Sequence, residues 1–127
     1  MFIALPELVG KRVLIVEDEM LVALMIEDLL VELGCDTVGP CGSVDKALDV
    51  ARTEALDLAV LDVNLGGEKV YPVAEVLAER HIPFLFVSGY GDEAVPPDHS
   101  TWKVCTKPFK GNDLAKMLSA ALVSEVL

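Results

Sequence analysis

The sequence predicts an α/β domain built on a doubly wound, five-stranded parallel sheet with helices on both faces. Three observations predict it. Strand-like and helix-like hydrophobic patterns alternate along all 127 residues. The strand candidates are continuous apolar runs, the pattern of strands covered on both faces. Each is followed by a stretch that suits a crossover, and right-handed crossovers reduce the topologies to doubly wound ones.

Val13 to Val16 reads as the first strand. Leu21, Met25, Leu29 and Leu33 then recur every four residues, with Glu27, Asp28 and Glu32 opposite and Gly34 as a C-terminal cap, which predicts an amphipathic helix with that stripe inward. An extended segment over Asp36 to Pro40 leads to Ser43, an N-cap for a helix carrying Ala47, Leu48 and Ala51. Leu58 to Leu61, bounded by Asp57 and Asp62, is apolar on both faces as a central parallel strand should be. Pro72 suits the first turn of a third helix with Val73, Val76 and Leu77 inward. "IPFLFVSG" is the fourth strand. Residues 89–101 hold the adjacent Pro96 and Pro97, so a short or irregular fourth helix is expected there. Val104 and Cys105 centre a fifth strand, and Leu114, Met117, Leu118, Ala121 and Leu122 form the inner stripe of a closing helix.

Composition narrows the class. The chain is 53% hydrophobic and of a length suited to one domain, so a disordered chain or a pair of domains is excluded. A net charge of −11 disfavours non-specific attraction to nucleic acid or anionic membrane. No apolar run reaches the eighteen or so residues a bilayer requires, and residues 1–10 lack a basic signal-like start, so a cytoplasmic location is expected. Cys35, Cys41 and Cys105 are odd in number and lack metal-site spacing, which predicts reduced core thiols.

In doubly wound sheets the site lies at the carboxyl ends of the strands. Those ends carry Glu17 and Asp18, then Asp62, then Ser88, then Lys107 followed by Pro108. At ~4 Å and an effective dielectric of ~20, each like-charge pair costs about 4 kcal/mol, so the acids need an offset. Two carboxylates from one strand and one from another suit a hard cation such as Mg²⁺. A carboxylate is also a competent nucleophile towards phosphorus, and such a transfer needs cations and donors around the equatorial oxygens. Mg²⁺, the Lys107 ammonium and the Ser88 hydroxyl fill those roles.

"VLIVEDE", "LAVLDVNLGG", "FVSG" and "TKPF", in this order and spacing, resemble the receiver domain of two-component response regulators, with its flavodoxin-like fold, over essentially the whole chain. The resemblance implies that Asp62 is the phosphoacceptor. It implies that Asp18 binds Mg²⁺ (or Mn²⁺) directly, Glu17 mainly through water, and Asn64 through its backbone carbonyl. Lys107 would pair with the phosphoryl group across a cis bond to Pro108, and Ser88 stands where the family has Thr or Ser. It further implies a histidine kinase or histidine phosphotransfer protein as donor, an unknown downstream protein as recipient, and a monomer or phosphorylation-dependent dimer. The expected organisation is one receiver over residues 1–127, its core from about 11, with no output domain, acting as a signalling protein rather than an enzyme of turnover.

Two departures refine this. The family's switch aromatic three residues before the lysine is Val104 here. "PFLFVSGYG" resembles instead the loop of the alphaproteobacterial FATGUY single-domain regulators, which makes Tyr90 the candidate substitute in a switch with Ser88.

Taken singly, each residue has a plainer role. Glu17 to Glu19 suit a solvated helix start, which Glu19 keeps; Asp62 suits a turn before Gly66-Gly67; Ser88-Gly89 suits any turn; and His81 and His99 read as loop residues. Lys103, Lys107, Lys110 and Lys116 make the C-terminal region locally basic, a solvated face beside the surface receivers use for partners. Rival functions are a flavin carrier, whose Ser/Thr/Gly-rich loop after the first strand is absent, and a haloacid-dehalogenase-type phosphatase, whose second Asp is Asn64 here. A phosphate sink and a phosphorylation-independent interaction module complete the alternatives.

Overall fold

The computed structural model describes residues 5–89, 95–99 and 102–126. Its elements in chain order are β1 (Arg12–Val16), α1 (Met20–Glu32), β2 (Asp36–Cys41), α2 (Val44–Thr53), β3 (Leu58–Asp62), β4 (Asn64–Leu65), β5 (Glu68–Lys69), α3 (Tyr71–Glu79), β6 (Phe84–Ser88), β7 (Val104–Thr106) and α4 (Gly111–Val126). The main sheet is parallel with strand order β2-β1-β3-β6-β7, and β4 and β5 form a separate two-stranded hairpin. This is the expected doubly wound sheet, in the order 2-1-3-4-5 when only its own strands are counted.

The period of two along each strand divides the core into two layers. Val13, Ile15, Leu58, Val60, Leu85 and Val87 face α1 and α4. Leu14, Val16, Ala59, Leu61 and Phe86 face α2 and α3. All five residues of β3 are buried, as its central place requires. Ser43 caps α2, its Oγ accepting from the Lys46 amide at 3.3 Å, and Pro72 sits in the first turn of α3.

β2 is an edge strand, so it tolerates Pro40, which has no N–H to donate. Its register against β1 shifts between Leu14 and Val16, and Gly39 takes a positive φ of 99°. A Cβ on Gly39 would lie 2.8 Å from the Ile15 carbonyl oxygen, so only glycine fits this bulge. The bulge brings the Cys41 carbonyl to the Glu17 amide, which donates to it at 3.0 Å.

Three expectations are revised. The inner stripe of α1 is Ala23, Ile26, Leu29, Leu30 and Leu33, whereas Leu21 is 78% and Met25 58% exposed. A spacing of four at 3.6 residues per turn drifts by ~40° at each step, so a four-member stripe cannot stay on one face. The core also begins before residue 11: Leu8 in a 3-10 turn over Pro6–Leu8 is fully buried, its carbonyl accepting from Cys35 Sγ at 3.3 Å. Where the sequence shows only a turn at Gly66-Gly67, β4 and β5 pair as an antiparallel hairpin. The irregular fourth helix is, among the described residues, a 3-10 turn over Pro97–His99. The three cysteines are buried and free, and no described helix is long and apolar enough to cross a membrane.

The revised face of α1 is testable by substitution. Ile26→Ala should cost about 2–4 kcal/mol of unfolding free energy, and Leu21→Ala within about 0.5 kcal/mol. Urea unfolding of both variants checks this, and equal costs would return Leu21 to the core.

Candidate functional site

Parallel pairing of β1 with β3 sets Val16 opposite Leu61. The next residues, Glu17 and Asp62, therefore emerge side by side at the carboxyl edge. Both are buried, at 3% and 8% exposure, while Asp18 is exposed. One carboxylate oxygen from each of Glu17, Asp18 and Asp62 lies within 4.8 Å of the others. β6 ends on the buried Ser88. Its carbonyl accepts from the Lys107 amide at 2.7 Å, which ties the segment after β7 to the same edge. Lys107 Nζ then reaches Glu17 Oε2 at 3.4 Å and Asp62 Oδ1 at 3.5 Å. The peptide bond from Lys107 to Pro108 is cis.

Asp18, Asp62, Ser88 and Lys107 line a cleft of about 580 Å³ together with Asn64 and the Gly66-Gly67 turn, with Glu17 buried behind its wall. That turn joins β4 to β5, with φ of 57° at Gly66 and 93° at Gly67. Positive φ at both positions of a two-residue loop is the geometry that closes a tight hairpin. The Gly66 amide donates to Asp18 Oδ2 at 2.9 Å, and Lys69 Nζ donates to Asn64 Oδ1 at 2.7 Å. The sequence signal for this hairpin was Gly-Gly between short flanks.

Charge explains the proton balance. Burial pushes the Glu17 carboxyl up to about 7, and the Asp62 carboxylate adds to the rise, against the Glu19 amide that donates to Glu17 Oε1 at 3.1 Å. Burial likewise raises Asp62, with Lys107 opposing. Burial works against the Lys107 charge, but Asp62 and Glu17 outweigh it and hold the ammonium above its ordinary range. One lysine thus serves a cluster of three carboxylates and contacts two of them, Glu17 and Asp62. The donors are all hard oxygens gathered within 4.8 Å of one another, a set whose chemistry suits a hard divalent cation such as Mg²⁺.

The chain matches the response regulator receiver domain family over residues 13–119. It is a receiver domain. The receiver is similar to SdrG of Sphingomonas melonis Fr1, at 43% identity over 93% of this chain and 98% of that one, with a TM-score of 0.77. A second solution structure, of the BeF3-activated conformation of SdrG from Pseudomonas melonis Fr1, is 45% identical over 90% of this chain and 98% of that one, with a TM-score of 0.74. The transcriptional regulatory protein PdtaR of Mycobacterium tuberculosis is 26% identical over 90% of the receiver. The receiver spans 58% of that relative's length.

The expected residues Glu17, Asp18, Asp62, Asn64, Ser88 and Lys107 converge in the receiver's fold. Glu19 is the exposed residue just before α1. Tyr90, the proposed substitute switch, lies outside the described residues. Val104 is half-buried, packed against the core layer on the α2 and α3 side and paired across the sheet with Phe86. Trp102, two residues earlier, packs edge-on to Phe84 and Phe86, at centroid distances of 5.1 and 5.6 Å. His99 is more than a loop residue: it stacks on Trp102 at 3.8 Å and lies 3.7 Å from Glu75 of α3.

The raised Glu17 makes stability pH-dependent without divalent cation. A carboxyl whose folded pKa of about 7 exceeds its ordinary 4.5 contributes stability that is full below about 4.5 and lost as pH rises to about 7. Urea unfolding in chelator should show wild type losing stability relative to Glu17→Gln between pH 4.5 and 7. A constant difference across that window contradicts the assignment.

Proposed function

We propose that the receiver is a Mg²⁺-dependent phosphoacceptor in a two-component pathway, with Asp62 taking the phosphoryl group from a histidine kinase or histidine phosphotransfer protein. The observation that carries this reading is the buried Asp62 carboxylate at the end of the central strand, 3.5 Å from the Lys107 ammonium and beside two more acids. An Asp62 oxygen attacks phosphorus, and the phosphorus–nitrogen bond to the donor imidazole breaks with its electron pair going to nitrogen. The product is an acyl phosphate.

Each neighbour then has a task. Bound Mg²⁺, or Mn²⁺, supplies positive charge to the phosphoryl oxygens. Asp18 and Asp62 would hold it directly, Glu17 mainly through water, and Asn64 through its backbone carbonyl. Lys107 leaves its carboxylate pairing to neutralise a phosphoryl oxygen. Ser88 donates its hydroxyl to another. The BeF3-activated conformation described for SdrG supports a receiver of this type having a second, activated arrangement. The signal leaves by contact with a downstream protein or by onward transfer, and the face of β7 and α4 with its exposed Lys103, Lys110 and Lys116 is where the changed surface is read.

Intact-mass measurement after incubation with acetyl phosphate tests the proposal. Wild type with Mg²⁺ should gain one phosphoryl group, and wild type in chelator and Asp62→Asn with Mg²⁺ should gain none. Absence of the added mass in wild type with Mg²⁺ overturns it.

A further inference from the structure

We infer that Lys69 is a positioning residue that sets the lifetime of the phosphoryl group by fixing the side-chain amide of Asn64. The inference rests on Asp62 as phosphoacceptor and adds a control of that site. Asn64 is half-buried, lines the cleft and stands two residues after Asp62. Its Oδ1 accepts from Lys69 Nζ at 2.7 Å, across the hairpin pair that sets Asn64 opposite Lys69. The hairpin itself is anchored, because the Gly66 amide donates to Asp18 Oδ2 at 2.9 Å. Lys69 is exposed, so its replacement removes no core packing.

An ammonium donates and never accepts, so it selects one of the two amide orientations. With Oδ1 drawn towards Lys69, the NH₂ end of the Asn64 amide is the end left to face a phosphoryl oxygen in the cleft. A donor there holds the phosphoryl group and cannot take a proton from water. Without Lys69 the amide is free to turn, and Oδ1 can accept a hydrogen from a water and aim it at phosphorus. In that hydrolysis the water oxygen bonds phosphorus, the Asp62 oxygen–phosphorus bond breaks with its electrons returning to the carboxylate, and the proton leaves to solvent. Lys69 therefore slows loss of the phosphoryl group through Asn64, without touching the reacting atoms.

The test follows decay of the phosphoryl mass after acetyl phosphate is removed, in Mg²⁺, for wild type, Lys69→Met, Lys69→Arg, Asn64→Ala and the Asn64→Ala/Lys69→Met pair. Lys69→Met should shorten the lifetime about fivefold, the scale of one net hydrogen bond at a solvent-exposed site, with uptake rate and melting temperature unchanged. Lys69→Arg should restore it, and in the Asn64→Ala background residue 69 should make no difference. In parallel, the Asn64 side-chain amide resonances of unphosphorylated protein should shift in Lys69→Met and return in Lys69→Arg. A lifetime in Lys69→Met within twofold of wild type overturns the inference, as does an effect that persists in Asn64→Ala. Failure of wild type to take up phosphoryl overturns the phosphoacceptor reading, and with it this role. Normal uptake with indifference to residue 69 overturns this inference alone.

Discussion

Three carboxylates held together against their own repulsion are the constraint on which the rest of the structure depends. Glu17 and Asp62 cannot move apart, because each continues a buried strand whose pairing is set residue by residue, Val16 against Leu61. A surface cluster would relax by turning side chains into solvent. Here two of the three acids are buried, so relief comes from a proton on Glu17, from Lys107, or from a bound cation.

The two-sided core makes that strain affordable. β3 is buried along its whole length, and five strands in parallel register hold the carboxyl edge rigid while its side chains remain poorly neutralised. Lys107 arrives from the other end of the sheet, tied down by its own amide to the Ser88 carbonyl. The same bond that positions the lysine therefore couples it to β6. The hairpin after β3 completes the rim, so both oxygen donors and backbone amides face one cleft.

Much of this was legible in the sequence because it follows from period and position. Continuous apolar runs named β1, β3 and β6, the alternation of elements placed β2 and β7 around them, and strand ends named Glu17, Asp18, Asp62, Ser88 and Lys107. What escaped was decided by tertiary context. α1 is apolar nearly all round, so spacing alone chose Leu21 and Met25 where packing against the sheet selected Ala23, Ile26 and Leu30. Leu8 is buried because a 3-10 turn folds it under the sheet, which no periodicity announces. The Asn64–Lys69 contact is a cross-strand pair of a two-residue hairpin, too short to carry a pattern. The aromatic surface near β7 comes from Trp102, two residues before position 104, and only the packing of the fold brings it against Phe84 and Phe86.

The central claim is that the acid cluster is held at a cost that a divalent cation relieves. Thermal unfolding of wild type and Asp62→Asn at neutral pH, each in chelator and in Mg²⁺, tests it most directly. In chelator Asp62→Asn should melt above wild type, since one of three unrelieved charges is gone. Mg²⁺ should raise wild type more than the variant and narrow the gap. A variant that melts at or below wild type in chelator, with no response of either to Mg²⁺, would contradict the account.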